Sequence, residues 1–316
     1  MSEIVAADIG GTHARFALAE VAEGRVVALG EVCTLGTSDY PDLEGAWQEF
    51  ARRIGRPLPS DASVAVAGPV GDGPFRLTNG DWVVNFANIR SALGVERCRV
   101  INDFGAVTYA VENLGARHFR QLCGPESPLP DEGVISIVGP GTGLGVAQLV
   151  RRGGGSQIVE TEGGHIAFAS LDPVEDRTLA RLRARFGRVS IERIVSGPGL
   201  ANLYEGGIRY SDDKALWDAA LSGEDDRAGE ALDRFCLALG SVAGDIALAH
   251  GADAVVIAGG LGLRLADRLS SSGFRDRFVA KGRFKERMEA IPVKTVTHPQ
   301  PGLFGAAAAF AEEFVE

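Results

Sequence analysis

The sequence has few basic residues for its length, and no segment concentrates them. Its 316 residues include 32 Lys and Arg against 42 Asp and Glu, which gives a formal net charge of −10. Binding to nucleic acid or to an anionic membrane surface depends on a concentrated basic patch. We therefore expect no nucleic-acid partner and no membrane partner.

Cysteine is also scarce, and long apolar runs are missing. Cys33, Cys98, Cys123 and Cys236 are far apart in the sequence, so none has metal-ligand spacing. The first residues, MSEIVAADIGG, lead directly into a predicted strand without a basic n-region or a cleavage signal. The most apolar segment, 237–249, is too short and too interrupted to span a bilayer. These features predict reduced thiols and a soluble, cytoplasmic protein.

The composition is that of an ordinary globular protein. Apolar residues make up 45% and charged residues 23%, and the length exceeds the size at which a single core usually stops growing. The 42 glycines exceed the usual share of about 7% and occur in clusters. The sequence therefore predicts two domains, with glycine turns that approach a ligand closely.

The first hundred residues are predicted to form a mixed α/β unit. Apolar runs at 4–8 and 14–21 flank a glycine turn, which is typical of a β-hairpin. Apolar residues from Leu43 to Ile54 recur at helical spacing. The other predicted elements of this unit are strands at 25–35, 63–67 and 99–101.

A similar pattern recurs in the second part of the chain. The strand 134–138 runs into a glycine-rich turn, and 146–150 follows as its hairpin partner. This internal repeat predicts two related halves. The later predicted elements are helices at 173–186, 190–194, 198–204 and 224–250, strands at 254–258 and 291–296, and a final helix at 302–315.

No low-complexity linker separates the two halves. We expect the boundary at a hinge near residue 106. The sequence then predicts a small α/β domain from residues 1–106, joined by the C-terminal helix 302–316, and a large α/β domain from residues 107–301.

The first glycine turn is a candidate phosphate-binding loop. Gly10 and Gly11 leave their amide N–H groups accessible to a phosphate, and the Thr12 hydroxyl can join them. Asp8, at the end of the preceding strand, could hold Mg²⁺ directly or through water. The alternative is a hairpin that needs glycine for its turn alone. The motif is neither a Walker A loop nor G-x-G-x-x-G.

Two further glycine clusters follow buried strands. The turn 139–145 has four glycines and Thr142. Together with the first turn, it could bind the β- and γ-phosphates of a nucleotide from two sides. Gly259 and Gly260 end another strand, where a surface without side chains would suit adenosine. Each cluster is weak evidence by itself, and together they favour nucleotide binding.

Asp103 directly follows a buried strand. Carboxylates at the carboxyl edge of an α/β sheet commonly contact ligands. Asp is also a frequent N-cap residue. From the spacing alone, we favour Asp103 as the cap of a helix that begins near Gly105.

Three polar side chains in the second half are candidate ligands for a small polar molecule. Glu162 and His165 flank a glycine pair, so both could reach one ligand, although a structural histidine is equally consistent. Glu192 could bind the same molecule, or it could be a first-turn glutamate favoured by the helix dipole.

The whole chain resembles the bacterial glucokinase family of the sugar-kinase/actin superfamily. The matching segments are DIGGTHAR at 8–15, INDFGAV at 101–107, GPGTGLGVA at 139–147, EGGH at 162–165, IERIVSGPGLANLY at 191–204, IAGG at 257–260, SGFRDRF at 272–278 and KGRFKE at 281–286. One segment is modestly specific, and eight in the family's order are very specific.

The resemblance implies an α/β, two-domain actin-like ATPase (ribonuclease H-like) fold with a sugar-binding interdomain cleft. It implies transfer of the γ-phosphoryl group of ATP to the 6-hydroxyl of glucose, with Mg²⁺, by a protein that we expect to be a homodimer. Asp103 becomes the catalytic base rather than a cap. The implied sugar ligands are Asn102, Asp103, Glu162, His165 and Glu192, with Thr78 and Asn79 as further contacts. The implied ATP-binding residues are Asp8, Gly10, Gly11, Thr12, Gly141, Thr142, Gly143, Gly259 and Gly260.

One position departs from the family pattern. His13 stands where many relatives have Asn, a change that keeps both donor and acceptor capacity.

Two other classes of protein are alternatives. An N-acetylhexosamine or other hexose kinase of the related repressor/kinase family would carry a Cys cluster after the sugar-motif histidine, and no Cys lies between His165 and Cys236. A non-catalytic actin-like nucleotide switch would not need the candidate sugar ligands.

Overall fold

The computed structural model describes residues 1–68, 70–71, 73–77, 80–207 and 210–315. The chain divides into two compact units. The first contains Met1–Gly115 and His298–Glu316, and the second contains Ala116–Thr297. Among the described residues, every helix is too short or too polar to reach across a bilayer.

A twisted mixed sheet forms the centre of the first unit. Its strands lie in the order β3-β2-β1-β5-β8, with β4 also paired to β2, and β6 and β7 form a separate hairpin. β1, β5 and β8 are parallel, whereas β2 is antiparallel to β1, β3 and β4. The strands are β1 (Ser2–Ile9), β2 (His13–Ala22), β3 (Arg25–Leu29), β4 (Cys33–Gly36), β5 (Asp61–Val66), β6 (Pro74–Arg76), β7 (Val83–Asn85) and β8 (Arg97–Asn102).

Helices cover both faces of this sheet. They are α1 (Leu43–Ile54), α2 (Ile89–Leu93), α3 (Asp103–Asn113) and α12 (Pro301–Phe314), the last helix of the chain. Because side chains alternate along a strand, Val5 of β1 packs in the core that includes α1, and Ile4 packs in the core that includes α12. The chain end is therefore part of the core of the first unit.

The second unit contains a sheet with a matching strand order. The strands lie in the order β12-β11-β10-β13-β14-β9. β10, β11 and β12 are antiparallel neighbours, and β10, β13 and β14 are parallel. The strands are β9 (Phe119–Cys123), β10 (Gly133–Pro140), β11 (Leu144–Arg152), β12 (Gly155–Thr161), β13 (Ala254–Ile257) and β14 (Val293–Val296). An antiparallel hairpin and two parallel strands recur in both units, which confirms the predicted internal repeat.

The second unit also contains a set of helices, of which α7 is the longest. They are α4 (Pro173–Phe186), α5 (Gly199–Leu203), α6 (Asp213–Ser222), α7 (Asp226–His250), α8 (Gly259–Arg264), α9 (Ala266–Ser271), α10 (Phe274–Val279) and α11 (Lys285–Glu289). Gly240 and Gly244 of α7 let α10 approach closely, because a Cβ at Gly240 would lie 2.2 Å from the carbonyl oxygen of Phe274.

Several sequence predictions differ from the structure in detail. The predicted strand 25–35 is two strands, β3 and β4, which both pair with β2. The predicted helix 190–194 is a 3-10 turn, Ile191–Arg193. The sequence analysis did not predict β9 or β12, which are the edge strands of the second sheet.

Candidate functional site

The turn between β1 and β2 is the first candidate phosphate loop. The amide of Gly10 donates to the carbonyl of His13 at 2.9 Å, which closes the turn. Thr37 fixes the turn from the outside, because its hydroxyl donates to the carbonyl of Gly11 at 2.8 Å and its amide donates to the carbonyl of Thr12 at 3.1 Å. The Thr12 side chain is exposed. The turn therefore has a fixed backbone and presents a hydroxyl to solvent.

Asp8 lies two residues before this turn, opposite Arg15 of β2. Arg15 Nη1 is 3.4 Å from Asp8 Oδ2, and the Asp8 side chain is 21% exposed. Burial raises the pKa of this carboxyl above its usual value, and Arg15 opposes the shift only in part. A Cβ at Gly302 would lie 2.8 Å from Asp8 Oδ2, so the carboxylate lies against the first turn of α12. The dipole of that helix favours a negative charge there.

Asn102, rather than Asp103, is the N-cap of α3, so the prediction that Asp103 caps the helix is wrong. Asn102 Oδ1 accepts hydrogen bonds from the amides of Phe104 at 2.8 Å and Gly105 at 3.2 Å. Its Nδ2 donates to the carbonyl of Gly68 at 2.9 Å. The helix begins one residue earlier than the cap prediction required, which makes Asp103 its first residue. Asp103 is half-buried, and its Oδ1 accepts from the amide of Phe104 at 2.8 Å.

The sheet register brings the first glycine turn and the Asn102-Asp103 pair to the same edge of one sheet. Ile9 of β1 lies opposite Val66 of β5, and Val66 lies opposite Asn102 of β8. All three strands are parallel and end at this level. The residues that follow β1 and β8 therefore emerge at the same carboxyl edge, on either side of β5, where α/β folds place ligands.

The second candidate phosphate loop is the turn between β10 and β11. Pro140 pairs with Leu144 across the hairpin, and the amide of Gly141 donates to the carbonyl of Gly143 at 2.8 Å. The carbonyl of Gly141 accepts from the amide of Gly197 at 2.7 Å. Thr142 is exposed at the tip. Like the first turn, this one is held by another segment and exposes a threonine.

The third glycine cluster lies against this second turn. Gly259 has φ +77°, and a Cβ there would lie 2.7 Å from the carbonyl oxygen of Pro140. Only glycine combines this left-handed conformation with such a close approach. Gly260 follows in the first turn of α8, and a Cβ there would meet no atom within 4 Å. The structure therefore brings two of the three candidate nucleotide loops together within the second unit.

Glu162 directly precedes the 3-10 turn Gly163–His165, and His165 is the last residue of that turn. Their side chains are 72% and 59% exposed, and His165 Nε2 lies 3.6 Å from Glu162 Oε2. Both glycines between them are required by packing. A Cβ at Gly164 would lie 2.1 Å from the carbonyl oxygen of Leu144, and one at Gly163 would lie 2.9 Å from Val146. The two polar side chains are thus held beside the second turn with their polar groups accessible to solvent.

Glu192 reaches the same turn from another segment. Its Oε2 accepts a hydrogen bond from the amide of Leu144 at 2.9 Å. The 3-10 turn that contains it is tied to the Glu162–His165 motif, because the amide of Ile191 donates to the carbonyl of Ile166 at 2.9 Å. Glu192 and Gly164 of the Glu162–His165 motif therefore both lie against one residue, Leu144, which the sequence analysis did not single out.

Thr78 and Asn79 lie outside the described residues. Within the described ranges, no group of three or more His, Cys, Asp or Glu side chains is arranged to hold a metal ion. The partly buried carboxylate of Asp8 fits a Mg²⁺ ion that arrives with a nucleotide, because Mg²⁺ usually keeps several waters and binds one or two carboxylates plus substrate phosphates.

Comparison with known proteins identifies the family. A family model described as Glucokinase matches residues 5–313. The chain is 56% identical to a glucokinase from Zymomonas mobilis subsp. mobilis over 321 residues, which covers 99% of each chain.

Two solved structures show the same fold. A glucokinase from an Antarctic psychrotroph has a TM-score of 0.82 at 34% identity, with 98% of each chain covered. A ROK family glucokinase from Streptomyces griseus, solved in complex with glucose and AMPPNP, has a TM-score of 0.61 at 18% identity, covering 97% of this chain and 98% of that one. The chain described here therefore belongs to the glucokinase family and has its two-domain actin-like fold.

Proposed function

We propose that this protein transfers the γ-phosphoryl group of ATP to the 6-hydroxyl of glucose, giving glucose 6-phosphate and ADP. Membership of the glucokinase family supports the reaction. The observation that carries the proposal is the shared sheet edge, where Asn102 and Asp103 emerge on one side of β5 and the turn of Gly10, Gly11 and Thr12 emerges on the other. A base and a phosphate loop must be close together for transfer to a sugar hydroxyl.

The proposed sugar ligands of the first unit are Asn102 and Asp103, with Thr78 and Asn79 as further contacts. Those of the second unit are Glu162, His165 and Glu192. Asn102 keeps one amide N–H for a sugar hydroxyl after its donation to Gly68. A wrong hydroxyl pattern would leave such groups unpaired, and that cost supplies selectivity.

The proposed nucleotide ligands are the three glycine clusters. Gly10, Gly11 and Thr12 would bind phosphate from the first unit. From the second unit, Gly141, Thr142 and Gly143 would bind phosphate, and Gly259 and Gly260 would lie against adenosine. The AMPPNP and glucose bound to the Streptomyces griseus protein support this type of ligand pair in the fold. Asp8 would hold Mg²⁺, which supplies positive charge to the phosphates when it is bound.

Asp103 is the proposed catalytic base. Phosphoryl transfer has a loose, highly charged transition state, so catalysis depends mainly on in-line positioning and charge stabilisation. The Asp103 carboxylate accepts the proton of the attacking 6-hydroxyl, while the amides of the two turns stabilise charge on the transferring group. Contacts around the sugar would also exclude water, which otherwise competes for ATP.

Mg²⁺ dependence, a cytoplasmic location, a homodimer and a domain division at residue 106 stay predictions. The alternative of a hexose kinase of the repressor/kinase family is less well supported, because the ROK neighbour shares only the fold at 18% identity. The proposed sugar is glucose, because the family model and the Zymomonas mobilis relative are described as glucokinase.

A sugar panel tests the proposed function. Purified protein with ATP and Mg²⁺ is offered glucose, mannose, glucosamine, N-acetylglucosamine or no sugar, and ADP release is followed by a coupled assay. We expect ADP release that depends on sugar and is fastest, in kcat/KM, with glucose. A preference for N-acetylglucosamine would support the repressor/kinase alternative. ADP release that is independent of sugar would support a nucleotide switch instead.

A further inference from the structure

The hydrogen bond between Glu192 and Leu144 joins a proposed sugar ligand to a proposed nucleotide loop. Leu144 is the last residue of the turn, opposite Pro140 in the hairpin register. Its amide donates to Glu192 Oε2 at 2.9 Å. A Cβ at Gly143 would lie 2.6 Å from the same oxygen. The carboxylate therefore lies directly against the backbone of the turn, and Gly143 provides the space for it.

The segment that contains Glu192 also holds the other side of the turn. The amide of Gly197 donates to the carbonyl of Gly141 at 2.7 Å. Gly197 is in turn fixed by Trp217, whose Nε1 donates to the Gly197 carbonyl at 2.8 Å. Trp217 is 3% exposed and packs in the main core of the second unit. One segment anchored in that core thus contacts the turn at both of its ends.

We propose that Glu192 couples sugar binding to nucleotide binding. One oxygen of its carboxylate fixes the turn 141–144 through the amide of Leu144, and the same side chain binds a glucose hydroxyl. This inference rests on the proposed function, because it assumes that glucose binds Glu192. Glucose bound to Glu192 would hold the side chain in the rotamer that accepts from the Leu144 amide, so the nucleotide has less conformational entropy to lose when it binds the turn. By thermodynamic reciprocity, bound nucleotide then favours glucose to the same extent.

Glu162 is the matched control. It is a proposed sugar ligand of the same charge, and its side chain is 72% exposed. Its side chain contacts His165, and within the part of the chain that the structure describes no hydrogen bond joins it to the amides of the turn. Removing the Glu162 side chain should therefore weaken the binding of glucose alone. Removing the Glu192 side chain should weaken the binding of both glucose and nucleotide.

Calorimetric titration of the full chain with AMPPNP and Mg²⁺, without and with saturating glucose, tests the proposal. For Glu192→Ala we expect a Kd for AMPPNP about tenfold weaker without sugar, and little or no further tightening by glucose. Glu192→Gln keeps an oxygen acceptor for the Leu144 amide, so its Kd for AMPPNP should stay within about threefold of wild type. Glu162→Ala should leave that Kd within about twofold of wild type.

The outcomes separate the coupling from the proposed function. An unchanged AMPPNP Kd and an unchanged glucose effect in Glu192→Ala would overturn the coupling and leave the glucokinase proposal intact. An unchanged glucose Kd in Glu192→Ala would instead remove Glu192 from the sugar site and overturn the coupling with it. If Glu192→Ala does not fold, Gly143→Ala is the second test of the proposal, because its methyl group must displace the Glu192 carboxylate. We expect Gly143→Ala to weaken glucose binding without nucleotide present, and an unchanged glucose Kd would overturn the proposal.

Discussion

The side-chain amide of Asn102 donates to the backbone carbonyl of Gly68 at 2.9 Å, while its oxygen caps helix α3. One residue thus joins the ends of β5 and β8 and starts the helix that begins with Asp103. Local stability and the position of the proposed base therefore depend on the same side chain.

Asn102→Ala should destabilise the protein and slow turnover. Loss of the cap costs about 1 kcal/mol, and the first turn of α3 loses its link to Gly68. Asn102→Ser restores a capping oxygen without an amide that can reach Gly68. We expect the serine variant to regain most of the lost Tm in thermal denaturation, but not the lost kcat. A serine variant as unstable as the alanine variant would show that the cap is not the main stabilising contact.

Asp8→Asn should raise stability at neutral pH and lower activity. Burial raises the pKa of Asp8, so the ionised carboxyl costs the folded state free energy above that pKa, and a neutral isostere removes the cost. As the pH falls below the pKa, wild-type Asp8 becomes neutral too. The stability advantage of the variant should then disappear.

Denaturant unfolding of wild type and Asp8→Asn between pH 7 and pH 4 measures this effect. Turnover at varied Mg²⁺ concentration measures the other half of the prediction, because a lost carboxylate ligand should raise the Mg²⁺ requirement. A variant that is less stable at pH 7 would mean that the Arg15 ion pair outweighs the cost of burial.

Gly305→Ala should disturb the proposed active site from a distance. A Cβ at Gly305 of α12 would lie 1.6 Å from the carbonyl oxygen of Ala106, in the helix that begins with Asp103. The two helices must move apart, and overpacking of this kind costs about 1–3 kcal/mol. We expect a lower Tm and a lower kcat together.

Gly229→Ala is the control for that substitution. Gly229 lies within α7, and a Cβ there would meet no atom within 4 Å. Alanine favours a helix over glycine by about 0.5–1 kcal/mol, so this variant should be slightly more stable and equally active. A Gly305→Ala variant that behaved like Gly229→Ala would contradict the close packing of α3 and α12.

Much of the fold could be predicted from the sequence where the local signals are strong. Helix α1 has apolar residues at helical spacing, an Asp42 cap and a terminal Gly55, and its bounds agree with the prediction. Helix α4 also agrees, with a proline in its first turn. Strands β9 and β12 were missed because they are edge strands, whose half-exposed residues give a weak pattern.

The candidate site was predictable only in part. Glycine clusters and strand ends mark its residues, but the sequence does not distinguish Asn102 from Asp103 as the helix cap, because either residue type caps well. The contact of Glu192 with Leu144 joins residues 48 positions apart, and no local pattern specifies such a contact. The role of Thr37, which fixes the first turn, was not predicted for the same reason, because its contact with Gly11 joins residues 26 positions apart.

The most direct test of the central claim is the turnover of Asp103→Asn. This change keeps the size of the side chain and removes the proposed base. We expect a folded protein with a Tm close to that of wild type and a glucose Kd within a few-fold of wild type. We also expect a kcat for glucose-dependent ADP release lower by about 10²–10⁴-fold. A folded variant that binds glucose and turns over at nearly the wild-type rate would contradict the assignment of Asp103 as the base.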